Sequence, residues 1–264
     1  MNEAAAFRGP VGVFAVILLE LALGSLAVLY VTPVWGVVKR GYFLLVGSTV
    51  LVGALGAALV ARTPLTDVAD PDLATATLWL FAGVAALFVV ALLMRRVGVA
   101  RVIGAVGVPV GVAAVCALAM LRGDGGTTVK GAVAMLTGAA FLGATWDGMV
   151  LGHWYLVDRK LTARPMQAAA LAFSIGVGLA VVSALLAKGG DPTPAENTLN
   201  PLLFVSGLTL YLAVGLVAVN ALLAFFVHKL VGEGSIRAAT GMLYLAVIMA
   251  FSAELAAKAR FFSL

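Results

Sequence analysis

Residues 11–30 read VGVFAVILLELALGSLAVLY, and this stretch sets the class of the whole chain. An apolar run of about 18 or more residues is what a helix needs to cross the hydrocarbon of a bilayer. One ionisable group, Glu20, stands near its middle. The run exceeds the apolar core of a signal peptide, and no small-x-small cleavage pattern follows it before Lys39-Arg40. It therefore reads as the first retained span.

Comparable runs recur at 42–61, 73–94, 99–121, 130–157, 166–187, 201–228 and 237–257. The expected fold is all-α: a polytopic helical bundle of about eight transmembrane helices, forming a single domain over 1–264. The fifth and seventh runs are long enough to tilt or to project past the bilayer. Of the 264 residues, 63% are hydrophobic and 11% charged, against roughly 45–50% and 25% in soluble domains. The net charge of +5 does not imply nucleic acid, because Lys and Arg cluster at the ends of the apolar runs, as topology signals do. The single cysteine, Cys116, excludes an intrachain disulfide, a Cys-x-x-Cys redox pair and covalent haem attachment.

Connections after odd-numbered runs carry Lys39, Arg40, Arg95, Arg96, Arg101, Arg159, Lys160, Arg164, Lys229 and Arg237. Those after even-numbered runs carry fewer basic residues, together with Asp67, Asp70, Asp72, Asp124, Asp191 and Glu196. The positive-inside rule then makes the odd connections cytoplasmic and leaves both termini outside a cytoplasmic (inner) membrane. Gly107-x-x-x-Gly111, flanking Pro109, and Gly148-x-x-x-Gly152 permit close helix packing, with a kink expected at Pro109. Leu19, Leu21, Ala22, Gly24, Ala27 and Val28 echo Leu210, Leu212, Ala213, Gly215, Ala218 and Val219, a similarity that an Ala-, Leu-, Val- and Gly-rich chain produces by chance.

Function must reside in the few polar groups inside the runs. A carboxyl such as Glu20 costs roughly 2.5–3.5 kcal/mol to insert, so it should face other helices and carry a proton or bind a ligand. The fifth run concentrates Thr145, Trp146, Asp147, His153, Trp154 and Tyr155. At about 100° per residue, Asp147 shares a stripe with Ala140, Gly143, Ala144, Leu151 and Trp154, whereas His153 points about 120° away. The two serve different interfaces. Glu20, Asp147 and His153 are the candidate chemical residues, and Trp154, Tyr155 and His228 the candidate cofactor-binding ones. His153 and His228 fall at similar depth and could ligate at most one b-type haem; an interfacial histidine beside Lys229 is the plainer reading of His228. Asn220 reads as a helix-to-helix hydrogen bond, and Glu254 as half of an i,i+4 rim ion pair with Lys258. No metal motif, phosphate loop or nucleophile elbow is present.

Glu20 ahead of Gly24, with a last run reading Gly241-Met242-Leu243-Tyr244 through Glu254-Leu255-Ala256-Ala257-Lys258, resembles in architecture the NrfD/DmsC-type membrane anchors of respiratory oxidoreductases. That resemblance implies a bundle that exchanges protons and electrons with quinol beside partner subunits. No motif matches residue by residue, so no family site is carried over. The leading expectation is a membrane subunit of a respiratory complex that interacts with quinone or conducts protons. A small proton-coupled transporter or channel and a purely structural subunit are the alternatives.

Overall fold

The computed structural model describes residues 10–65, 71–121, 125–158, 160–186 and 208–262. Eight helices make up almost all of it: α1 Pro10–Val31, α2 Arg40–Leu65, α3 Asp72–Leu93, α4 Val97–Met120, α5 Gly125–Val157, α6 Arg164–Leu186, α7 Leu208–Gly232 and α8 Ile236–Phe262. Every one is long and apolar enough to span a membrane. Their outward faces are apolar as well: Leu45, Val52 and Leu59 on α2, Leu80 and Leu87 on α3, and Leu245 and Ile248 on α8 are all exposed. Helices that are apolar all round and still present such faces are solvated by lipid, so this is a multi-pass membrane protein.

The apolar runs of the sequence map onto these helices, with three adjustments. α5 begins at Gly125 and spans 33 residues, about 50 Å at 1.5 Å per residue and well beyond a hydrocarbon core of about 30 Å. α7 continues to Gly232, and the expected start of that span at 201–207 lies outside the described residues. α4 continues as one helix through Pro109.

The packing order is the same in both halves of the chain. α1 packs on α2, α2 on α3 and α3 on α4, with α1 closing against α4; α5, α6, α7 and α8 repeat this sequence of neighbours. The halves join through α1 and α5, flanked by α4 against α5 and by α8 against α1. α1 and α5 are accordingly the two most enclosed helices. The counterpart of α1 is thus α5, and the sequence echo between the first and seventh runs has no structural correlate.

At the face where odd-numbered helices end, short connections are tied down by named contacts. Arg40 Nη1 donates to the Leu92 and Leu93 carbonyls at the end of α3, at 3.1 and 3.3 Å. Tyr30 Oη donates to the Arg101 carbonyl at 2.6 Å, and Arg101 lies over the Trp35 ring. Lys39 pairs with Asp158 at 2.8 Å across the α1–α2 and α5–α6 connections.

Candidate functional site

Helix α1 carries Glu20 into the middle of the bundle, ten residues or about 15 Å from its start. The side chain is completely buried. Its counter-charge comes from the other end of the chain: Lys258 of α8, 1% exposed, places Nζ 2.9 Å from Glu20 Oε1. Lys258 also pairs with Glu254, one turn earlier, at 2.9 Å. The i,i+4 pair expected from the sequence therefore exists, but not at the rim. Glu254 and Lys258 both lie in the interior, because α8 turns that face onto α1, α5 and α6.

An ammonium has three N–H donors. Those of Lys258 go to Glu254 Oε2 at 2.9 Å, the Ala134 carbonyl of α5 at 2.9 Å and Ser183 Oγ of α6 at 3.2 Å. The 2.9 Å approach of Nζ to Glu20 Oε1 comes on top of these three bonds and off the angle of a good hydrogen bond, so Glu20 is held mainly by charge. Space for the two carboxyls comes from Gly138: a Cβ there would lie 2.7 Å from Glu254 Oε2 and 2.9 Å from both Glu20 oxygens. One ammonium neutralises one carboxylate. The second carboxyl is neutral only with a proton on it, and the two carboxyls lie equally close to the ammonium.

Asp147, further along α5, is 1% exposed. The Ser25 hydroxyl of α1 faces it and Tyr42 of α2 lies close by, and beyond this facing pair neither Asp147 oxygen nor Ser25 Oγ has a hydrogen-bond partner. Its neighbour Trp146 donates Nε1 to Thr49 Oγ1 of α2 at 3.1 Å and packs edge-on against Phe251 of α8.

The remaining candidates do not join either acid. His153 is exposed, on a different face from Asp147 as the helical period requires, with Nδ1 3.2 Å from Tyr244 Oη of α8. Trp154 seats its indole over Gly41 of α2. Tyr155 Oη donates to the Thr162 carbonyl and accepts from the Met166 amide at 3.3 Å, which pins the α5–α6 connection. His228 is exposed on α7. Asn220 bonds within its own helix, to the Leu216 carbonyl at 2.9 Å, instead of bridging two helices.

A cleft of about 400 Å³ opens beside the α1–α5 contact, between α4 and α6, lined by Leu23, Val28, Val108, Val112, Leu171 and Ile175 among others. None of its lining residues bears a polar side chain. Among the described residues no group of three or more His, Cys, Asp or Glu could hold a metal ion. Lys258 and Ser183 are the parts of the site that the sequence reading missed; the only available signal was a lysine one turn after a glutamate inside an apolar run. Comparison with family models, with characterised proteins and with solved structures finds no match.

Proposed function

We propose that this chain is a proton-conducting membrane protein in which Glu20 takes up and releases the proton. The observation that carries this reading is the cluster of two buried carboxyls around one ammonium whose donors are all spent. Gain and loss of a proton on Glu20 changes the cluster by one charge while Lys258 and Glu254 stay hydrogen-bonded. A purely structural ion pair has no use for a third charge, since breaking even a balanced buried pair is costly. Intramembrane acids facing a bundle interior mark ion pathways, proton relays or ligand counter-ions.

Basic residues at the face where odd helices end orient that face to the cytoplasm by the positive-inside rule, with an inner-membrane location. Within a respiratory assembly the chain would supply the proton path. The quinone reading draws less support, because the cleft lacks a polar handle and His153, Trp154 and Tyr155 engage three separate partners. The like-ordered halves favour, as a second reading, a proton-coupled transporter whose halves move about the α1–α5 contact.

The test is proton flux. Purified protein in vesicles with a trapped pH dye and an imposed potassium diffusion potential should acidify or alkalinise the lumen, and Glu20→Gln should lower the rate about 100-fold, as loss of a positioned acid–base group does. Wild-type flux equal to that of empty vesicles, or an unaffected Glu20→Gln variant, would overturn the proposal.

A further inference from the structure

Past Glu20 the α1–α5 contact closes on backbone. A Cβ on Gly24 would collide with the Ala139 carbonyl and lie 2.9 Å from the Gly143 nitrogen, and one on Gly143 would collide with the backbone of Gly24. Two helices this close leave no room for a side chain or a water between them. Immediately beyond the crossing, Ser25 follows Gly24 on α1, and Asp147 stands one turn after Gly143 on α5. Both are buried, and their three oxygens have no hydrogen-bond partner beyond each other. Ser25 faces Asp147 from α1 and Tyr42 from α2. Among the described residues no basic side chain interacts with it.

A buried carboxyl without a cation binds either a proton or a metal ion. A sodium-sized ion would need several further oxygens, but the surrounding stretches are continuous α-helix whose carbonyls are engaged in the helical ladder, so the carboxyl with the Ser25 and Tyr42 hydroxyls falls short of a cage. A proton needs only the carboxyl.

We propose that Asp147, with Ser25, is a second proton-binding station, and that the Gly24–Ala139–Gly143 crossing is the barrier separating it from Glu20. This rests on the reading of the Glu20 cluster as a proton site. Asp147 communicates with the face where odd-numbered helices end, Glu20 with the face where they begin. When the crossing parts and water enters it, the O–H bond on Asp147 breaks, its proton passes along the water and an O–H bond forms on the Glu20 carboxylate, leaving Asp147 anionic until its own face supplies another proton. In the closed arrangement each acid equilibrates with one side only.

The experiment is side-specific carboxyl labelling. Sealed vesicles of uniform protein orientation, prepared in both senses, are treated with dicyclohexylcarbodiimide, which modifies protonated carboxyls in apolar surroundings, while the pH of each aqueous phase is set separately. Mass spectrometry then reads the modification of Asp147 and Glu20. Raising the pH at the face where odd helices end should lower Asp147 labelling about tenfold and spare Glu20, and raising it at the opposite face should do the reverse. Infrared spectra of the same protein should show a carboxylic-acid carbonyl band that Asp147→Asn removes. If both residues track the same side, the barrier is wrong. If neither pH alters Asp147 labelling, or label and infrared band are both lacking, Asp147 is not a proton station. Failure of the Glu20 reading shows up separately, as wild-type vesicles without proton flux but with intact Asp147 labelling.

Discussion

Lys258, four residues before α8 ends, stands 2.9 Å from Glu20 in the middle of α1, so one ion pair ties α1 to α8. It does so inside a bundle whose interior is mainly apolar. Two further helices depend on the same ammonium, through Ala134 of α5 and Ser183 of α6, and Glu254 engages it from within α8.

Lys258→Met should therefore be strongly destabilising. It leaves two carboxyls without their cation and orphans the Ala134 carbonyl and the Ser183 hydroxyl, a change of the kind that costs about 3–5 kcal/mol. Glu20→Gln, by contrast, leaves Lys258 its counter-charge on Glu254 and all three of its hydrogen bonds, and should cost only about 1 kcal/mol. Thermal unfolding of both variants in detergent checks the order, and the double variant Glu20→Gln with Lys258→Met should lie above Lys258→Met alone.

Gly138→Ala inserts a methyl group where the two carboxyls converge. The expected outcome is a loss of about 1–3 kcal/mol by overpacking, with proton flux reduced as the carboxyls separate. Gly148→Ala is the control on the same helix, since its Cβ would meet Leu243 only at an ordinary 3.5 Å.

Gly24→Ala forces α1 and α5 apart at their backbone contact. Stability should fall by about 1–3 kcal/mol or more, because the obstacle is a carbonyl and not a side chain that can rotate away. Differential scanning fluorimetry alongside Gly178→Ala, which meets open space, separates the packing effect from helix propensity.

The connection between α5 and α6 should loosen in acid. A hydrogen bond from Lys39 and, less strongly, one from the Lys160 amide hold the Asp158 carboxyl below the usual carboxylate range. A depressed value in the folded state means that this tether is fully present above the ordinary carboxylate pKa and is lost as pH falls through the lowered one. Hydrogen exchange at 160–163 should accelerate over that window, and Asp158→Asn should remove the pH dependence.

The fold was legible because hydropathy over about 20 residues registers span after span regardless of detail. The burial of Glu20 was legible for the same reason: an acid in mid-span should face other helices. Lys258 was not, because hydropathy says that a residue belongs to a run but not which way it faces. A lysine near a helix end, close to Arg260, has the profile of an interfacial anchor. Only the packing of α8 against α1, α5 and α6 turns it inward. The separation of Asp147 from His153 was legible from the helical period, whereas the vacancy around the Asp147 oxygens depends on Ser25, a residue from another helix with no sequence signal of its own.

The Glu20–Lys258 pair also has a bearing on biosynthesis. Translation delivers α1 to the membrane long before α8 exists, so Glu20 enters the bilayer without its counter-ion and must make that entry as a neutral acid. The nascent bundle then waits on α8 to bring in the lysine, and a chain that stops short of α8 exposes an unanswered carboxyl at its centre. Synthesis of α8 and closure of the ion cluster are in this way a single event, one that membrane quality control could read.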